Sequence, residues 1–123
     1  MGTAANRGEE LVPRPPRTPA ALKAALAVVA PNLLPRMQAD LETAFDRAAE
    51  LDSLTPVRAF LVHWATTVEI ERFPGTARTY HRSLYLAQQA NSPEEARSHL
   101  TVSGELLRAA TRAVQESNVA RSA

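Results

Sequence analysis

Cysteine is absent from the 123 residues, which excludes a disulfide framework and any thiolate metal site and fits a reducing compartment. A metal would have to rest on histidine and carboxylate alone. Long apolar runs are missing too: the longest, Ala24 to Pro31, falls far short of the roughly 20 residues that a membrane span needs. Met1 to Glu10 contains no apolar stretch of the kind a secretory signal requires, so neither membrane insertion nor secretion is expected, and the expected setting is the cytoplasm. Charge of one sign is also scarce. A net charge of +1 is too small to imply a generic polyanion partner, so any nucleic-acid role must come from a local patch. No segment alternates polar and apolar residues over a useful length, and strands are not expected.

What is present is helical periodicity punctuated by proline. Thr18-Pro19, Thr55-Pro56 and Ser92-Pro93 each offer a hydroxyl N-cap followed by proline at the first helical position, where its missing N–H costs nothing. Ser92-Pro93-Glu94-Glu95 also has the spacing of a capping box. The two intervals between these starts are equal, 37 residues each. The internal breaks at Pro31-Asn32 and Pro74-Gly75 fall at different offsets, so the spacing does not mark a repeat.

From these signals the chain reads as an all-α, compact bundle of four or five helices. Residues 1–17 are expected to be a flexible, disordered arm, because Gly2, Gly8, Pro13, Pro15 and Pro16 leave little apolar surface to offset the entropy of ordering. Within that arm Val12 to Arg17 favours an extended polyproline conformation. It suits docking into an aromatic groove, beside the plainer reading of a solvated leader. Residues 18–119 form the single helical domain, and 120–123 a disordered tail. The first helix is expected from Pro19 to about Val29, and the second from Asn32 as cap to about Leu51. The second carries Leu34, Met37, Leu41, Ala44 with Phe45, Ala48 and Leu51 along one stripe, its acids mostly facing away. The third, from Pro56 to about Arg72, is anchored by Trp64. A fourth follows from about Thr76 to Ala90, and a fifth from Pro93 to about Val119, with Gly104 a weak point worth about 1 kcal/mol relative to alanine.

Candidate chemistry is thin. His63, His81 and His99 fall on three different helices without a His-x-x-x-His or Glu-x-x-His spacing, so no metal site is expected. Asp46 and Glu50 lie one turn apart but belong to a solvated acidic face with Arg47. Ser83, Ser103 and Thr66 lack a glycine elbow or a base at a meaningful spacing. No catalytic residue, no cofactor and no small-molecule substrate is expected, and the chain reads as a non-enzyme. The helix–turn–helix-like segment 56–90 offers a second possibility: Arg78, Tyr80, His81 and Arg82 at the start of the fourth helix resemble the composition of a DNA recognition helix.

The run Pro56-Val57-Arg58-Ala59-Phe60-Leu61-Val62-His63-Trp64, followed by Arg72-Phe73-Pro74-Gly75-Thr76-Ala77-Arg78, resembles a group of small helical actinobacterial proteins of unknown function. The resemblance covers about residues 18–85; the stretch from Ser92 onward has no counterpart in it. It implies a partner encoded beside toxins of the RelE type, hence an antitoxin-like role, and brings no catalytic residues. The fifth helix has apolar side chains over a wide arc, Leu100, Val102, Leu106, Leu107 and Val114, which must be covered by a larger core or another chain. The expected function is therefore protein–protein interaction, with a toxin or other protein partner or as a homodimer through these helix faces. The alternative is a DNA-binding regulator using the segment 56–90.

Overall fold

The computed structural model describes residues 9–122, with side chains over residues 9–117. Among the described residues there are five α-helices and no strand: α1 (Pro19–Val29), α2 (Leu34–Leu51), α3 (Thr55–Glu71), α4 (Pro74–Gln88) and α5 (Pro93–Ser122), with a single 3-10 turn, Pro31–Leu33, before α2. The all-α expectation holds. No helix among the described residues is long and apolar enough to cross a membrane.

Two of the three hydroxyl caps form as the sequence implies. Thr18 accepts the Ala21 N–H at 3.2 Å. Ser92 accepts the Glu95 N–H at 3.1 Å, while Glu95 reaches back to the Asn91 N–H, one residue before the position a standard capping box uses. The third cap shifts. Thr55 is the first residue of α3, and Ser53 Oγ accepts its N–H at 3.1 Å, because a serine two residues upstream can close an equivalent local turn. Asn32 does not cap α2: the 3-10 turn carries the chain directly into Leu34, and no side chain caps the helix. The chain leaves α2 through Asp52 in the left-handed region, at φ 50° and ψ 51°, a conformation that aspartate tolerates better than most residues. Helix α4 begins at Pro74, two residues before the expected start. Helix α5 continues to Ser122 through residues expected to be a tail.

Helix α3 is the hub, packing against α1, α2, α4 and α5. Its residues Phe60, Trp64, Ala65 and Val68 meet Leu22 and Leu26 of α1, Met37 and Ala44 of α2, and Val114 of α5 in the main core. Trp64 is 2 % exposed, and its indole Nε1 donates to Asp40 Oδ2 at 3.1 Å, so the polar edge of the largest core group is satisfied. A smaller cluster joins Ile70 of α3, Ala77 of α4 and Ala110 of α5, with Tyr80 against it. The expected stripe on α2 is only partly buried: Met37 and Ala44 face inward, whereas Phe45 and Leu51 are exposed. Phe45 sits one residue beyond Ala44, about 100° further round the helix and away from α3.

Residues 1–8 of the expected flexible arm lie outside the described residues. Its remainder, residues 9–17, is irregular but pinned. Arg14 donates to both carboxylate oxygens of Glu69, at 2.8 and 2.9 Å. Arg72, the C-cap of α3, donates to Glu69 and to the Val12 carbonyl and contacts Glu10. The Leu11 N–H donates to the Arg72 carbonyl at 2.8 Å, and Val12 packs on the main core. The missing apolar content is offset by charge: the strap is held by a buried carboxylate between two guanidinium groups.

Candidate binding groove

An open groove of about 790 Å³ runs along one face of α3. Its floor is a row of helix positions, Thr55, Ala59, Val62, Thr66 and Ile70, with Arg58, His63 and Thr67 on the shoulders. These steps of three and four residues put the row on one side of the helix. The row is small-sided, so a trough forms where a leucine stripe would have filled it. Leu33 and Arg36 around the start of α2, Tyr80 and His81 of α4, and Leu107 and Thr111 of α5 line its sides. The Thr66 and Thr67 hydroxyls donate to the carbonyls of Val62 and His63, and the lining of the trough is predominantly apolar.

Charge is distributed unevenly along this groove. Arg36 and Arg58 are exposed and make no ion pair among the described residues. The first turns of both α2 and α3 contain no acidic residue, so neither positive helix end is offset within its own turn. Glu71 Oε2 and His81 Nε2, which also line the groove, lie 2.5 Å apart. Arg14, in the strap, is held above the ordinary guanidinium value by its hydrogen bond to Glu69 and by that carboxylate's charge, which outweigh the lowering from partial burial.

The residues expected at a protein interface are divided by the structure. Leu100 and Leu107 are exposed, the latter 42 %, and lie seven residues apart on the flank of α5 beside the groove. Val102 is exposed on the opposite flank, and Leu106 is half-buried there. Val114 is no interface residue: it sits in the main core at 3 % exposure, because α5 crosses α3 there and the chain supplies its own cover. Of the residues expected to contact nucleic acid, Arg78 and Arg82 are exposed one turn apart. Tyr80 is half-buried against the smaller cluster and His81 is engaged by Glu71. His63, His81 and His99 do not converge, and no group of three metal-ligating side chains occurs among the described residues.

Sequence reading did not find the groove, because Thr55, Ala59, Val62 and Thr66 are too small and mixed in polarity to register as a stripe. Their signal was negative: over its first three turns this face of α3 carries only small or polar side chains and one valine. It also missed Glu69 and Arg72, whose i,i+3 spacing looks like an ordinary surface pair. No family model, no curated protein and no solved structure matches this chain, so its functional reading rests on the geometry just described.

Proposed function

We propose that this chain is a non-enzymatic binding module that takes a protein partner on the groove along α3 and the adjoining flank of α5. The observation that carries the reading is the open, apolar trough beside the exposed Leu107. Apolar surface gathered in a concavity, with unpaired charges at its rim, is the pattern of a recognition surface. The partner is a second protein or a second copy of the chain, met in the cytoplasm. The resemblance of residues 18–85 to proteins encoded beside RelE-type toxins supports an antitoxin-like version of this role.

Light scattering on the purified chain, alone and after co-expression with a RelE-type toxin, tests it. The expected result is a complex or a dimer that Leu107→Asp dissociates while helicity is retained. A monomer that captures no protein overturns the proposal. The exposed pair Arg78 and Arg82 supports a second reading, a DNA-binding regulator. That reading predicts retardation of duplex DNA that depends on both arginines and falls steeply with salt, whereas an apolar interface responds much less to ionic strength.

A further inference from the structure

We infer that the seat of the strap is a docking site for an extended apolar–Pro–Arg segment, filled here by the chain's own residues 9–17 and able to take the same residues of a second copy. The inference stands on the strap contacts and is independent of the groove. The seated residues show what is recognised. Arg14 places Nε and Nη2 on the two oxygens of Glu69, at 2.8 and 2.9 Å, a two-pronged contact that suits a planar guanidinium rather than an ammonium. The Val12 side chain packs on the main core, and its carbonyl accepts from Arg72 Nη1 at 3.2 Å. The Leu11 N–H donates to the Arg72 carbonyl at 2.8 Å. Pro13, between the two anchors, favours the extended backbone that spaces them.

Two features let this segment leave its seat while the helices stay folded. The seat is complete in itself: Glu69 also accepts from Arg72, at 3.0 and 3.3 Å, so emptying it strands neither charge. The segment is thinly held, with Glu9, Glu10, Leu11, Pro13 and Pro16 exposed and no residue of 9–17 buried. Irregular stretches with so few buried contacts open well below the free energy of global unfolding. Pro15 and Pro16 then keep the released segment extended on its way to another chain. A strap passed to a second copy makes the same contacts as one closed on its own chain, the condition for exchange between protomers. The balance between the two is set by protein concentration against the effective concentration of the tethered strap, about millimolar for a short link. The dilute chain is therefore closed on itself, and exchange appears when its own strap is weakened.

Fluorescence anisotropy of a labelled peptide spanning residues 9–17, added to the full chain, tests the docking site. The peptide is expected to bind the Arg14→Ala variant, whose own strap is loosened, at least about fivefold more tightly than it binds the parent. Replacing the peptide's equivalent of Arg14 by lysine should weaken binding about tenfold. Mixing two variants tests the exchange. Arg14→Ala keeps an intact seat and Glu69→Gln keeps an intact strap. Both are first checked for the parent's circular dichroism spectrum, and together they should form a one-to-one heterodimer in native mass spectrometry at a concentration where each alone is monomeric. Adding Leu107→Asp to both chains separates this contact from the groove. A heterodimer that persists supports strap exchange; one that dissolves assigns the second copy to the groove, overturning the exchange and leaving the binding-module reading standing. Equal peptide binding to parent and Arg14→Ala, no binding to Arg14→Ala, or no heterodimer on mixing would each overturn the inference.

Discussion

Replacing Glu69 by alanine removes the counter-charge that holds the strap and the end of α3 together. Glu69 is 5 % exposed and accepts from Arg14 at 2.8 and 2.9 Å and from Arg72 at 3.0 and 3.3 Å. Arg72, itself 4 % exposed, would stay behind with its charge in the interior. Breaking a buried pair from one side typically costs about 3–5 kcal/mol. Glu10 and the Val12 carbonyl remain beside Arg72, which places the expected loss at the low end, about 3 kcal/mol. Against a total stability of about 5–15 kcal/mol, that is a large fraction. Thermal unfolding followed by circular dichroism should show Tm falling by about 10 °C, taking about 3–4 °C per kcal/mol for a chain of this size. Arg14→Ala should cost less, about 1–2 kcal/mol, because its side chain is one-third exposed and Glu69 keeps Arg72. The double variant should cost less than the sum of the two single changes, since both remove the same contact. A Tm for Glu69→Ala within about 3 °C of the parent, or strictly additive costs, would refute the claim that this carboxylate holds the strap.

Four further outcomes are expected. Gly104→Ala should raise stability by up to about 1 kcal/mol through helix propensity: the added Cβ meets Arg108 Nη1 at 3.2 Å, the far end of a flexible side chain, and denaturant titration would show the gain as a higher midpoint. Ser92→Ala should cost about 1 kcal/mol by leaving the Glu95 N–H uncapped, read in the same titration. Asp52→Gly should stabilise by about 0.5–1 kcal/mol, because glycine adopts the left-handed geometry at φ 50° without a Cβ penalty, whereas Asp52→Val should destabilise. Asp40→Ala should cost about 1–2 kcal/mol by stranding the Trp64 indole N–H. It should also shift the emission of the chain's single tryptophan.

The helices were legible because their signals are local. Thr18-Pro19 and Ser92-Pro93 mark starts that side-chain caps then secure, and the spacing of Phe60, Trp64 and Val68 gives the buried face of α3 directly. What was hidden depends on residues far apart in the chain. Val114 looked unpartnered until α5 folded back across α3 to cover it. Phe45 looked like core because the stripe was counted one position too wide. The pairing of Arg14 with Glu69 spans 55 residues, and no periodicity announces an ion pair at that separation. The groove is an extreme case, since it is formed by side chains that are absent: the part of its floor at Thr55, Ala59 and Val62 is defined by what the neighbouring helices leave uncovered.

The strap also sets an order of events during synthesis. Glu10, Leu11 and Arg14 find their partners on Glu69 and Arg72, so this segment cannot settle until the end of α3 has left the ribosome. Closing so long a loop is slow compared with winding a helix. In the interval α1, α2 and α3 emerge with the acidic side chain of Glu69 served only by its neighbour Arg72. A nascent-chain protease assay should find residues 9–17 cleavable well after the helices have become resistant.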